Sequence, residues 1–108
     1  MGKIQSLQRQ DFSKVYKKGQ SKANKYLILY LLPSDKSRLG ISVSKKVGNS
    51  VIRHRIKRLI KEAYRLNVDH IEDGYDLVFI ARNTAKDKTY SEIESALLHL
   101  IKLNKLYL

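Results

Sequence analysis

From residue 7 the chain reads LQRQDFSKVYKKG, placing Phe12, Val15 and Tyr16 at i, i+3, i+4 before Gly19. That spacing predicts a short amphipathic helix from Leu7 to Lys18, with Gly19 as the residue that ends it. The period then drops to two. Ala23 to Leu32 (ANKYLILYLL) sets Tyr26, Ile28, Tyr30 and Leu32 on one face and Leu27, Leu29 and Leu31 on the other. Apolar side chains on both faces predict a central strand covered on both sides. Pro33 to Ser37 reads as a turn into Arg38–Ser44 (RLGISVS), where Leu39, Ile41 and Val43 alternate with Gly40, Ser42 and Ser44, so these two strands are expected to form a hairpin.

Helical spacing returns over Ser50 to Leu66 and is followed by a polar connection, Asn67 to Gly74, that holds Asp69, Glu72 and Asp73. Asp76 to Arg82 (DLVFIAR) predicts a third strand. Thr89 and Glu92 form the ends of a capping box, and Tyr90, Ile93, Leu97, Leu100, Ile101 and Asn104 trace the buried edge of a last helix to about Leu106. The order is therefore α-β-β-α-β-α in a single domain spanning residues 1–108. Strand, helix, strand around the middle helix predicts parallel pairing of the flanking strands, and an α/β (α+β) two-layer sandwich on a central mixed sheet follows.

The middle helix changes the picture from fold to chemistry. At about 100° per residue, Ile52, Ile56, Leu59, Ile60, Ala63 and Leu66 fall within an arc of roughly 120°, a core-facing stripe. Arg53, His54, Lys57, Arg58, Lys61 and Arg65 fill an opposite arc of roughly 140° that holds no acid. Like charges at i, i+4 repel by a few tenths of a kcal/mol per pair, so an acid-free cationic face points to a polyanion outside the chain. Arg55 lies beside the apolar stripe near Glu62 and reads as a snorkelling or intramolecularly paired arginine. Gly48-Asn49-Ser50 offers a cap and free amide donors at a helix start otherwise crowded with cations.

Composition extends that reading to the whole chain. Lys and Arg number 22 against 10 Asp and Glu, a formal charge of +12. A bias of this size suggests nucleic acid or an anionic membrane surface. No run approaches the roughly 18 apolar residues of a membrane span. The chain start lacks the apolar core of a secretory signal, and the cytosol is the expected compartment. Cysteine is absent, which excludes disulfides and thiolate zinc sites. Gly2 with Ser6 meets a loosely specified acylation pattern and reads as a chance start. His70 near Asp69, Glu72 and Asp73 fits no metal-ligand spacing, and His99 reads as structural or surface. No Ser-His-Asp set or paired carboxylates stand at telling spacing, so no catalytic residue is expected in the protein.

The run LGISVSKKVGNSVIRHRIKRLIKEAYR resembles the signature of the bacterial ribonuclease P protein component, roughly S-x-K-x-x-G-N-A-V-x-R-N-R-x-K-R-x-x-R-E. DFSKVYKKG, ANKYLILYLL and DLVFIARNTA resemble that family's first helix, first strand and last strand, so the resemblance covers nearly the whole chain. It implies the small protein subunit of an RNA-based endoribonuclease, a hydrolase that removes the 5′ leader of precursor tRNA. The active site and its Mg2+ would belong to the RNA, with no cofactor bound by the protein and no obligate protein partner. It also implies a left-handed crossover between the parallel strands, against the usual rule.

Carried over position by position, the resemblance makes Lys46, Gly48, Asn49, Arg53, His54, Lys57, Arg58, Lys61 and Arg65 the contact with the catalytic RNA. Phe12, Tyr16 and Tyr30, with Ser42, Ser44 and Lys45 beside them, would line the cleft for the single-stranded leader. Two residues depart from the family pattern: His54 stands where asparagine is usual, and Lys61 where arginine is usual. Lysine keeps the charge and loses the bidentate fork, whereas histidine can still donate to a phosphate or base.

Overall fold

The computed structural model describes residues 4–108; Gly2 lies outside them. The elements are β1 (Gln5–Ser6), α1 (Arg9–Lys18), β2 (Gln20–Ala23), β3 (Leu27–Pro33), β4 (Arg38–Ser42), α2 (Ser50–Asn67), β5 (Tyr75–Ala81) and α3 (Tyr90–Leu103), with single 3-10 turns at Val68–His70 and Asn83–Ala85. The strands form one mixed sheet in the order β1-β4-β5-β3-β2. β5 runs parallel to β4 and antiparallel to β3. Among the described residues no helix is long and apolar enough to cross a membrane.

The expected hairpin of β3 with β4 does not form, because β5 lies between them. β5 is the strand that most needs the centre: Asp76, Leu77, Val78 and Phe79 are all buried in succession, which only a strand covered on both faces allows. The connection from β3 to β4 is held across the start of β5. Ser34 N–H donates to the Gly74 carbonyl (2.8 Å), and Gly74 N–H donates to Ser37 Oγ (2.6 Å). Ser37 and Gly74 both take positive φ, at 54° and 90°, and Gly74 adopts that backbone without a Cβ penalty.

The strand expected over Ala23 to Leu32 is split. Asn24 Oδ1 accepts from Tyr26 N–H (3.2 Å) and Leu27 N–H (3.0 Å), reversing the chain. This makes Gln20–Ala23 an antiparallel edge strand on β3. Gly19 ends α1 with an extended backbone. Its lack of a side chain is required by space: a Cβ there would lie 2.5 Å from the Val15 carbonyl oxygen and 2.6 Å from that of Leu31. α3 stops at Leu103, three residues early, where Lys105 turns through φ 60° and Leu106 N–H returns to the Ile101 carbonyl.

The two sheet faces are unequal. Leu27, Leu29, Leu31, Leu77 and Phe79 pack with Ile56, Ile60 and Ala63 of α2 and Ile93, Leu97, Leu100 and Ile101 of α3 in the main core. Ile56 and Ile60 are fully buried, each contributing about 1.5–3 kcal/mol of transfer free energy. α1 sits on the other face, where Leu7, Val15 and Val78 form a smaller cluster with Phe12, Tyr30, Leu32 and Ile80. α2 is rotated from the expected stripe towards Tyr64, which is 8% exposed, and away from Leu66, which is 55% exposed.

The smaller face is anchored by one buried carboxylate. Asp76 is 3% exposed, and it accepts from Arg38 Nε (3.2 Å), Nη2 (2.8 Å) and backbone N–H (3.0 Å). Arg38 Nη1 reaches Asp11 of α1 at 2.8 Å. Burial by itself would raise the Asp76 carboxyl; the side-chain and backbone hydrogen bonds from Arg38 outweigh it and hold the group below the usual carboxylate range. Because the folded value is depressed, the stabilisation is present above the unfolded value of about 3.9 and is lost as pH falls through the lower folded value. Asp76→Asn should therefore cost roughly 3 kcal/mol at neutral pH by urea unfolding, with the gap to the parent closing below about pH 4. A gap independent of pH would show that the ion pair is not its source.

Candidate nucleic-acid interface

α2 begins where the sequence places its cap. Asn49 Oδ1 accepts from Ile52 N–H at 3.0 Å, so this side chain is already engaged in folding. Gly48 is sterically required, since a Cβ there would meet the Ile52 side chain at 2.8 Å. The two residues shape the helix start, and their remaining donors are what a ligand can use. Lys45 and Lys46 lie exposed in the preceding turn, where Ser44 Oγ accepts from Lys46 N–H (3.2 Å) and buried Val47 pins the chain. Ser44 thus serves the turn.

Along α2, His54, Lys57, Arg58 and Lys61 are exposed on one face and Arg53 is half-buried. None of these four cations, Arg53, Lys57, Arg58 and Lys61, has an ion-pair partner among the described residues. Arg65 differs from them. Its Nε and Nη2 hold Glu62 at 2.7 and 2.9 Å, and this fork pulls the Glu62 carboxyl below its ordinary range. Its charge is already answered within the chain. Arg55 is paired intramolecularly as expected, although with the Lys88 carbonyl (2.9 Å) and not with Glu62. It ties α2 to the segment before α3.

The aromatic residues gather on the smaller sheet face. Tyr16 meets Tyr30 edge-to-face with ring centroids 5.0 Å apart, and Phe12 meets Tyr16 at 6.3 Å. Burial pushes the Tyr16 phenol up, against a smaller opposing pull from the neighbouring Ser42 hydroxyl. Tyr16 remains 38% exposed, so part of its side chain is open to a partner.

Two contributions escaped the sequence reading. Gly40 lies under Phe12, where a Cβ would sit 2.6 Å from the Phe12 ring and 2.9 Å from Leu7. A glycine inside an alternating strand is a signal of such close approach. The other is a groove of about 370 Å3 between α2 and the β4 edge, lined by His54, Lys57, Arg58 and Lys61 on one side and by Leu7, Phe12 and Gly40 on the other. It joins the cationic helix to the aromatic face. A second groove, of about 470 Å3, runs along α2 beside Tyr90 at the start of α3. The Tyr90 hydroxyl donates to Glu94 (3.0 Å), and burial together with that carboxylate pushes the phenol up to about 12.

A mixed sheet with an aromatic-lined face and a cationic crossover helix defines an α+β nucleic-acid-binding protein. The family model described as Ribonuclease P matches residues 3–104. Ribonuclease P protein components from Lachnoclostridium phytofermentans and Alkaliphilus oremlandii are similar throughout. The first is 60% identical over 99 residues, covering 90% of this chain and 85% of the relative. The second is 58% identical over 95 residues, covering 86% and 83%. Among solved structures, an RNase P protein from Staphylococcus aureus superposes with a TM-score of 0.87 at 39% identity, covering 99% of this chain and 100% of that one. One from Thermotoga maritima gives 0.85 at 30% identity, covering 92% and 96%. The chain belongs to the ribonuclease P protein component family, the protein subunits of a tRNA-processing ribonucleoprotein.

Gly40→Ala should displace the Phe12 ring and lower stability by about 1–3 kcal/mol through overpacking. Urea unfolding and the ring proton shifts of Phe12 and Tyr16 measure both effects. Unchanged ring shifts would mean that Phe12 does not rest on this glycine.

Proposed function

We infer that this subunit clamps the catalytic RNA of ribonuclease P with the exposed face of α2 and guides the 5′ leader of precursor tRNA over the face carrying Phe12, Tyr16 and Tyr30. The observation that carries the reading is the cation row of α2, unpaired among the described residues and joined by a groove to Phe12 at the edge of the aromatic group. Lys46, Arg53, Lys57, Arg58 and Lys61 neutralise phosphates of the folded RNA and release its condensed counterions. His54 adds a donor to this row, and Gly48 and Asn49 hold the helix start against the RNA. Arg65 contributes less, since Glu62 already neutralises it.

Leader recognition needs surfaces that tolerate any sequence. Stacking on Tyr16, Phe12 and Tyr30 supplies that, at about 1–3 kcal/mol per stacked base, while Lys45 meets the backbone and Ser42 and Ser44 border the path. The hydrolysis of one phosphodiester bond is assigned to the RNA, whose Mg2+ ions supply the metal chemistry. The protein's share is to lower the repulsion between the two RNAs, so its effect is greatest when magnesium is scarce. The site of action is the cytoplasm.

Leader removal by a bacterial ribonuclease P RNA at low magnesium, with and without the protein, tests the reading directly. Strong stimulation is expected, and unchanged processing would overturn it. Binding to that RNA should fall with salt on a log–log slope of about −4, from roughly five neutralised phosphates. Arg58→Ala should flatten the slope by about one contact, and Arg65→Ala should flatten it less. Tyr16→Ala should weaken precursor tRNA while leaving mature tRNA unchanged; equal weakening of both would remove the cleft assignment.

A further inference from the structure

The flank of α2 that faces α3 carries apolar surface that neither the core nor the cation row explains. Val51 is 75% exposed and Leu66 is 55% exposed. On the helix Leu66 lies two turns beyond half-buried Leu59 on the same side, whereas Val51 sits apart in the first turn. Beside Leu59 the groove of about 470 Å3 runs along α2 to Tyr90, the first residue of α3; Leu59 and Tyr90 line it, with Arg55, Arg58, Lys61, Glu62 and Arg65 around them. Its volume falls within the range of roughly 300–1,000 Å3 typical of small-ligand pockets. The aliphatic stems of long cationic side chains can add to such an apolar lining.

The parts are held in place from three sides. Arg55 bonds the Lys88 carbonyl (2.9 Å) and ties α2 to the segment that leads into α3. The Tyr90 hydroxyl is tied to Glu94, which also accepts from Asn67 Nδ2 at 2.9 Å. Tyr90 is thereby oriented by its hydroxyl, with its ring among the groove-lining surfaces. Glu62 sits at the rim with both oxygens occupied by Arg65, which removes most of its repulsion towards an anion.

We propose that this groove is a nucleotide subsite, taking one unstacked base of the bound RNA against Tyr90 and Leu59 with its phosphate at Arg58. A cationic rim around an apolar slot with an aromatic wall complements a nucleotide in both charge and shape. The proposal rests on the reading of α2 as the RNA-binding helix, and it assigns to the helix a second flank that contacts bases where the first contacts phosphates. Removing the Tyr90 ring should weaken RNA binding without changing its salt dependence, because no charge is lost.

Two measurements test this. The 15N-labelled full chain is titrated with adenosine 5′-monophosphate and, separately, with ribose 5-phosphate. The nucleotide should shift the amides of Leu59, Glu62 and Tyr90 saturably, and the sugar phosphate should shift only the cation row. Equal shifts from both, or none in the groove, would overturn the subsite. Binding to a bacterial ribonuclease P RNA is then compared for Tyr90→Phe and Tyr90→Leu. Phenylalanine should bind like the parent, and leucine about fivefold or more weakly at the same salt slope. Equal losses in both variants would assign the effect to the hydroxyl bond with Glu94 and overturn stacking, as would no loss in either. Should Tyr90→Leu fail to fold, the nucleotide titration of the parent decides. A flat salt slope for the parent would instead count against the cation row, which the nucleotide contrast does not depend on.

Discussion

The fork of Arg38 is the constraint from which the functional face follows. One guanidinium spans Asp76 at the start of β5 and Asp11 in the first turn of α1, and its own backbone opens β4. Asp11 is also the acid that the Gln8 N–H uses at the helix start. A lysine could neutralise one of these carboxylates but has no planar fork to hold two at set angles. With the helix fixed at that end, Val15 seats in the small cluster and Phe12 comes down over Gly40. Tyr16, one turn further, is then carried to Tyr30. The aromatic surface is therefore set by a charged clamp whose α1 member, Asp11, immediately precedes Phe12.

The same economy governs the distribution of acids. Asp11 and Asp76 serve Arg38, Glu92 closes the cap of α3 with Thr89, Glu94 accepts from Tyr90 and Asn67, and Glu62 is held by Arg65. Each of these carboxylates is occupied by a structural partner. What remains on the outer face of α2 is positive charge with nothing opposite it. That arrangement costs the free protein some stability through mutual repulsion, and a polyanion relieves it.

The elements governed by local periodicity were legible in the sequence. The boundaries of α2, the capping box of α3, and the alternation of Leu39 with Gly40 all follow from spacing and cap chemistry within a few residues. Pairing partners were not legible to the same degree. Nothing within β3 or β4 says that a strand forty residues later comes between them; the burial demand of β5 decides it. Gln20–Ala23 was missed because an edge strand exposed on both faces leaves no hydrophobic rhythm. Phe12, Tyr16, Tyr30 and Ser42 were brought together as expected, whereas Arg65 belonged to the right arc of the helix but had a partner three residues away. The Arg38 network was invisible because its members are separated by 27 and 38 residues.

The placement of β5 has a consequence for how the polypeptide comes into being during synthesis. The middle strand of the sheet is the last strand to be made, and both of its edges are taken, by β4 on one side and β3 on the other. A nascent chain ending before Tyr75 has two unfilled hydrogen-bonding edges, and its α2 lacks Leu77, Phe79 and the α3 residues among which Ile56 and Ile60 are buried. The cationic helix therefore leaves the ribosome before the platform that orients it exists, and the subunit becomes a shaped binding surface only when its final third arrives.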